Sequence, residues 1–120
     1  MKWIAVLCAA AIMSLPASAQ QPGEKLYVVT HVDIGGQQLA AEAAKMLAQF
    51  AADSRGDRGS VRFEVLREPT RLNHFTLVEV WQSRADFEAH LIAAHTKAFR
   101  EKIQPMLGSP FDERLHVLLP

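Results

Sequence analysis

Thiol chemistry is missing from almost the whole chain. The one cysteine, Cys8, lies near the N-terminus within an apolar segment. A single cysteine cannot close an intrachain disulfide, and past Cys8 there is no thiol nucleophile and no thiolate metal ligand. An excess of one charge is missing too: 13 basic residues face 13 acidic ones, a formal net charge of +0. No basic stripe stands out, which argues against nucleic acid as a partner. No apolar run reaches the ~20 residues that cross a bilayer. Between Gln20 and Pro120 there is no internal repeat and no low-complexity stretch.

The N-terminus has a pattern of its own. Met1-Lys2 opens it, Trp3 to Leu15 is apolar and uncharged, and PASAQ (Pro16 to Gln20) puts small residues at the −3 and −1 positions of a cut after Ala19. This predicts a Sec-type signal peptide over 1–19 and one domain over 20–120. It also predicts a secreted or periplasmic protein with no membrane association after cleavage. A mature chain without cysteine suits an oxidising compartment.

Periodicity then orders the domain. Lys25 to Ile34 is short and rich in β-branched residues, a strand. Tyr27, Val29, His31 and Asp33 share one face, and Val28, Thr30, Val32 and Ile34 the other, more apolar one. Gln37 to Ala52 carries Leu39, Ala43, Met46, Leu47 and Phe50 near helical spacing, an amphipathic helix. DSRGDRGS, Asp53 to Ser60, reads as a loop. Val61 to Arg67 alternates, as a half-buried strand does. A short connection leads to a further strand, His74 to Trp81. Ser83 is a good N-cap with Asp86 in the first turn. The helix it starts has Phe87, Leu91 and Ala94 on its apolar edge and loses register between Ala93 and Thr96. A second helical piece reaches Leu107, with Pro105 disturbing its end. Arg114 to Leu119 reads as a last strand. Strand, helix, strand, strand, broken helix, strand is the order of an α+β ferredoxin-like sandwich. Its second sheet face carries enough apolar residues to need cover, which predicts a homodimer.

Chemistry concentrates between Asn73 and Arg100. Glu79 and Trp81 end a strand, and His90 and His95 sit on and just after the following helix. Five positions apart, the two imidazoles would point about 140° from each other on an unbroken helix. They converge only if the helix breaks between them. Glu79 lies on an otherwise apolar strand face and needs a partner if buried. Arg62 or Arg67 on the neighbouring strand is the expected one. No two histidines are four apart and the acids do not cluster with them, so no metal site is expected. Arg55, Asp57, Arg58 and Arg71 read as a solvated, salt-bridged set, or as a cap over a pocket mouth or the dimer seam. His74 and His116 read as solvated.

FEVLRE, HFTLVEVW and the block from Ser83 through AHLIAAHTKAF to Phe99 resemble the antibiotic biosynthesis monooxygenase domain. The resemblance covers nearly all of residues 20–120. It implies a dimeric α+β barrel, formed when two ferredoxin-like sheets pack face to face, with a pocket between sheet and helices in each subunit. It implies a cofactor-independent monooxygenase acting on a quinol-like or other small phenolic substrate with dioxygen. In that scheme His90 and His95 are catalytic, as base and anion-holding groups. Trp81, His31 and Phe87 bind the substrate, and Trp81 is an aromatic wall. Neither a cofactor nor a metal is implied. The haem-degrading members of the superfamily have a tryptophan where His90 stands, a histidine near Arg100 and an asparagine near His31; this chain matches none of the three. Two other functions use the same residue types: a non-catalytic dimeric module for a small apolar ligand, and an isomerase or lyase on the same scaffold.

Overall fold

A computed structural model describes residues 23–120. The predicted signal peptide, its cleavage site and Cys8 lie outside the described residues. The elements are β1 (Leu26–Asp33), a 3-10 turn (Gln37–Leu39), α1 (Ala40–Arg55), β2 (Ser60–Arg67), β3 (His74–Trp81), α2 (Arg84–Leu91), α3 (Ala94–Ile103), a second 3-10 turn (Gln104–Met106) and β4 (Asp112–His116). The strands form one antiparallel sheet in the order β2-β3-β1-β4. This is the ferredoxin-like α+β arrangement that the element order predicts. No helix of the described residues is long and apolar enough to cross a membrane.

Alternation decides which sheet face is covered. Leu26, Val28, Thr30 and Val32 of β1 are buried, as are Phe75, Leu77, Glu79 and Trp81 of β3 and Phe63 of β2. Against them α1 lays Ala43, Leu47, Phe50, Ala51 and Ser54, spaced three and four apart, and α3 adds Phe99 and Ile103. The opposite sheet face is more open. It holds His31, the Arg62–Glu64 pair at 2.7 Å and Asp33, which meets His74 across the ladder at 2.6 Å.

The boundaries of α1 and β4 differ most from the expectation. α1 runs three residues further, to Arg55, whose Nε donates to Phe63 O at 3.0 Å and fastens the helix end to β2. β4 is earlier and shorter, because Tyr27 pairs with His116 and β1 begins at Leu26. Leu118 and Leu119 run past the end of that ladder and are exposed.

The helical break is where the lost register puts it. α2 ends at Leu91, and Ala93 is extended (φ −63, ψ 147) before α3 starts at Ala94. Ser83 caps α2, its Oγ accepting from Asp86 N at 3.1 Å.

Candidate active site

Three side chains from two distant segments meet at this break. His90 is the last polar residue of α2, and His95 lies in the first turn of α3. The change of direction at Ala93 brings their ring centroids to 5.9 Å. Between them stands Asp57, from the turn that joins α1 to β2. Its Oδ2 is 2.7 Å from His90 Nδ1 and 2.9 Å from His95 Nε2. The first contact is a hydrogen bond; in the second the imidazole lies off the hydrogen-bond line, and His95 Nε2 is buried without a hydrogen-bond partner.

The turn that presents Asp57 is tightly specified. Asp57 N donates to Ser54 O, and its carbonyl accepts from Ser60 N. Gly59 adopts φ +80, the left-handed region that favours glycine, and a Cβ there would collide with the Asp86 side chain. Arg58 reaches toward Asp86 at 3.7 Å from a fully solvated position.

His90 is enclosed by Trp81 (4.6 Å between centroids), Phe50 (5.5 Å) and Phe63 (5.7 Å). Burial pulls its pKa below the ordinary histidine value, and the hydrogen bond to Asp57 opposes that only in part. The ring is therefore neutral near pH 7, with Nδ1–H donated to the carboxylate and Nε2 on the far side. That Nε2 is 3.8 Å from Glu79 Oε1. Glu79 is itself buried, and Trp81 Nε1–H donates to its Oε1 at 3.1 Å. Burial raises the Glu79 pKa to about 7 against that hydrogen bond, with the Glu113 charge adding and Arg100 opposing.

The expected arginine partners of Glu79 are not there. Phe63, not an arginine, stands opposite Glu79 in the ladder; Arg62 points from the other sheet face and pairs with Glu64. The partner is instead the indole two residues along the same strand face.

An apolar cleft of about 330 Å³ opens between α1 and α3. Met46, Phe50 and Phe99 line it, with His95 at one side and Lys45 and Lys102 at its edge. Phe50 and Phe99 stack at 4.0 Å, nearly parallel. Of the residues predicted to bind or react, only His95 reaches this cleft. His90 lies behind Phe50. Trp81 is fully buried and Phe87 nearly so, the two rings 6.2 Å apart. Both are core, and the aromatic wall is Phe50 and Phe99. His31 is on the opposite sheet face, beside Thr76 Oγ1 at 3.2 Å, because strand alternation turns it away from Thr30 and Val32.

Asp57 is expected from sequence as part of a solvated, salt-bridged loop or a cap over a pocket mouth or the dimer seam; its pairing with His90 and His95 is what the sequence reading misses. Its only sequence signal is an acid between two glycines in a charged loop. Its presence also removes the ground for expecting no metal site, since Asp57, His90 and His95 place ligand atoms within 4.8 Å of one another.

The family model for antibiotic biosynthesis monooxygenases matches residues 26–102. No curated protein matches the chain. Among solved structures, a Nitrosomonas europaea protein named for the same family superposes with a TM-score of 0.76 at 18% identity, covering 84% of this chain and 96% of its own. An antibiotic biosynthesis monooxygenase superposes at 0.75 with 16% identity, covering 79% of this chain and 99% of its own. A Caulobacter crescentus protein, likewise named for the family, does so at 0.75 with 17% identity, covering 82% and 92%.

Proposed function

The chain belongs to the antibiotic biosynthesis monooxygenase family, and from that premise we propose that it oxidises a quinol-like or other small phenolic compound with dioxygen, without a cofactor, in the cleft between α1 and α3. The observation that carries this is the placing of His95 on an aromatic-walled cleft with Asp57 2.9 Å behind its Nε2.

A phenol reacts with dioxygen only sluggishly until it loses its proton; the phenolate can then donate an electron. His95 takes that proton at Nδ1, the ring nitrogen away from Asp57, and the Asp57 carboxylate 2.9 Å from Nε2 stabilises the imidazolium that forms. A base so placed is worth roughly 10² to 10⁴ in rate. The stacked Phe50–Phe99 pair abuts the substrate ring as one aromatic wall and keeps water from it. Lys45 and Lys102 in the cleft lining outnumber its one acid, Asp53, and favour the anion. In the overall reaction one oxygen atom replaces a ring hydrogen and the other leaves as water. Substrate oxidation to the hydroxyquinone supplies all the electrons, so no external reductant is needed.

Dimerisation through the open sheet face is part of the same proposal. Leu66 on that face is 49% exposed, and Leu118 and Leu119 beyond β4 are more so. Such surface seldom stays in water.

A non-catalytic binding role is favoured by one observation, the sealing of His90 and Trp81 away from the cleft. Oxygen uptake with a panel of hydroquinones separates the two. Turnover without added metal supports the monooxygenase, and tight binding of a hydroquinone with no oxygen consumed overturns it in favour of a binding module. Product formed without oxygen consumption would mean an isomerase or lyase.

A further inference from the structure

Asp57, His90 and His95 make up two imidazoles and one carboxylate converging on a single point, a donor set suited to divalent first-row transition cations. We propose that these three side chains bind one such cation, with zinc as the type ion, and that the ion, by taking His95, blocks the site. The blocking clause rests on the monooxygenase proposal; the binding does not.

Geometry supports the site on both sides. On the inner side, Asp57 Oδ2 lies 2.7 Å from His90 Nδ1 and 2.9 Å from His95 Nε2. A tetrahedral zinc with bonds near 2.0–2.1 Å wants donors roughly 3.3 Å apart, so the carboxylate must retreat by about half an ångström. Asp57 can do so. It sits on a surface turn with its side chain 20% exposed; His90 stays where the core holds it, and His95, 26% exposed, is free to turn its ring toward the ion. Thr96 Oγ1, 3.4 Å from His90 Nδ1, borders the same point. His95 Nε2 is the further sign: buried, beside a carboxylate, and without a hydrogen-bond partner.

On the outer side, a ligating imidazole usually donates its other N–H to a carboxylate or carbonyl, which fixes its tautomer. With His90 ligating through Nδ1, its Nε2 carries the proton; Glu79 Oε1 is 3.8 Å away, beyond hydrogen-bond length, and a shift of roughly 0.8 Å would close the contact. Trp81 anchors that carboxylate by its indole N–H. The oxygen-preferring ions magnesium and calcium find only one carboxylate here and are excluded on donor type.

The test is calorimetric titration of tag-free, chelator-treated protein with zinc chloride, with magnesium chloride as control. One zinc per chain is expected, and no magnesium. Asp57→Asn and His95→Ala should each weaken zinc at least tenfold, while His74→Ala, on the far sheet face, should not. Cobalt(II) loaded in place of zinc should show the visible absorption of a low-coordinate site in the parent protein and lose it in Asp57→Asn. Equal zinc affinity in the parent and both site variants, or no zinc binding by the parent, overturns the proposal. Zinc loading should abolish hydroquinone-dependent oxygen uptake, and undiminished uptake by the zinc-loaded protein overturns the blocking clause. If the metal-free protein consumes no oxygen at all, the monooxygenase proposal fails while the titration still decides the metal site.

Discussion

Asp57 Oδ2 stands 2.7 Å from His90 Nδ1 although 33 positions separate the two in sequence. The hydrogen bond joins the α1–β2 turn to the end of α2, and it sets the state of a ring that the core has made neutral. Asp57→Asn keeps the shape but removes the charge. A hydrogen bond to a charged group is worth about 1.5–3 kcal/mol, so the variant should lose about 2 kcal/mol in urea unfolding. In the parent, nitrogen NMR should find the His90 proton on Nδ1 near pH 7. An unchanged midpoint, or a proton found on Nε2, would show that the contact does not act as described.

Glu79 predicts a pH dependence with a definite sign. In the folded protein its carboxyl keeps a proton up to about 7, against the ordinary 4.5 of an exposed glutamate side chain. The folded state therefore holds more protons than the unfolded chain between those values. Stability contributed by this group is complete below the unfolded value and is lost as pH rises toward and through the folded one. Glu79→Gln has no such loss. At ~1.4 kcal/mol per tenfold in proton affinity, its advantage over the parent should grow by up to about 3 kcal/mol between pH 4 and pH 8. Urea unfolding at the two pH values measures it; a parent–variant difference that does not move with pH would contradict the raised pKa.

The positive φ of Gly59 and the Asp86 side chain beside it make Gly59→Ala costly in two ways. Backbone strain of this kind is of order 1–3 kcal/mol, and displacement of Asp86 adds to it. Because the same turn carries Asp57, the variant should lose oxygen uptake out of proportion to its loss of stability. Thermal unfolding beside a hydroquinone assay would show this, and a Gly59→Ala protein with parental melting and turnover would count against it.

Much of this was legible in the chain. Alternation in Val61–Arg67 marks a strand, because only one face of an open sheet is buried. Ser83 with Asp86 marks the start of α2, and the register lost between Ala93 and Thr96 marks, to within a few residues, the break at Ala93 that lets His90 and His95 converge. The pairing of Asp57 with His90 and His95 is not legible, because a turn has no period and its partners are set by tertiary packing. The Glu79 partner was missed for a related reason. Cross-strand reasoning looks to the neighbouring strand, yet Arg62 lies on the other face and the indole of Trp81 stands two residues along the same one. The resemblance implies Trp81, Phe87 and His31 at the pocket, but two are core and the third is across the sheet. Aromatic residues on a buried strand or helix face look the same in sequence whether they line a cleft or fill a core.

The most direct measurement is oxygen uptake on a hydroquinone panel by His95→Ala beside the parent, with and without added imidazole. The base proposed here predicts a fall of about 10² or more in turnover, an unfolding midpoint near the parent's and partial recovery with free imidazole. Parental uptake by His95→Ala would contradict it.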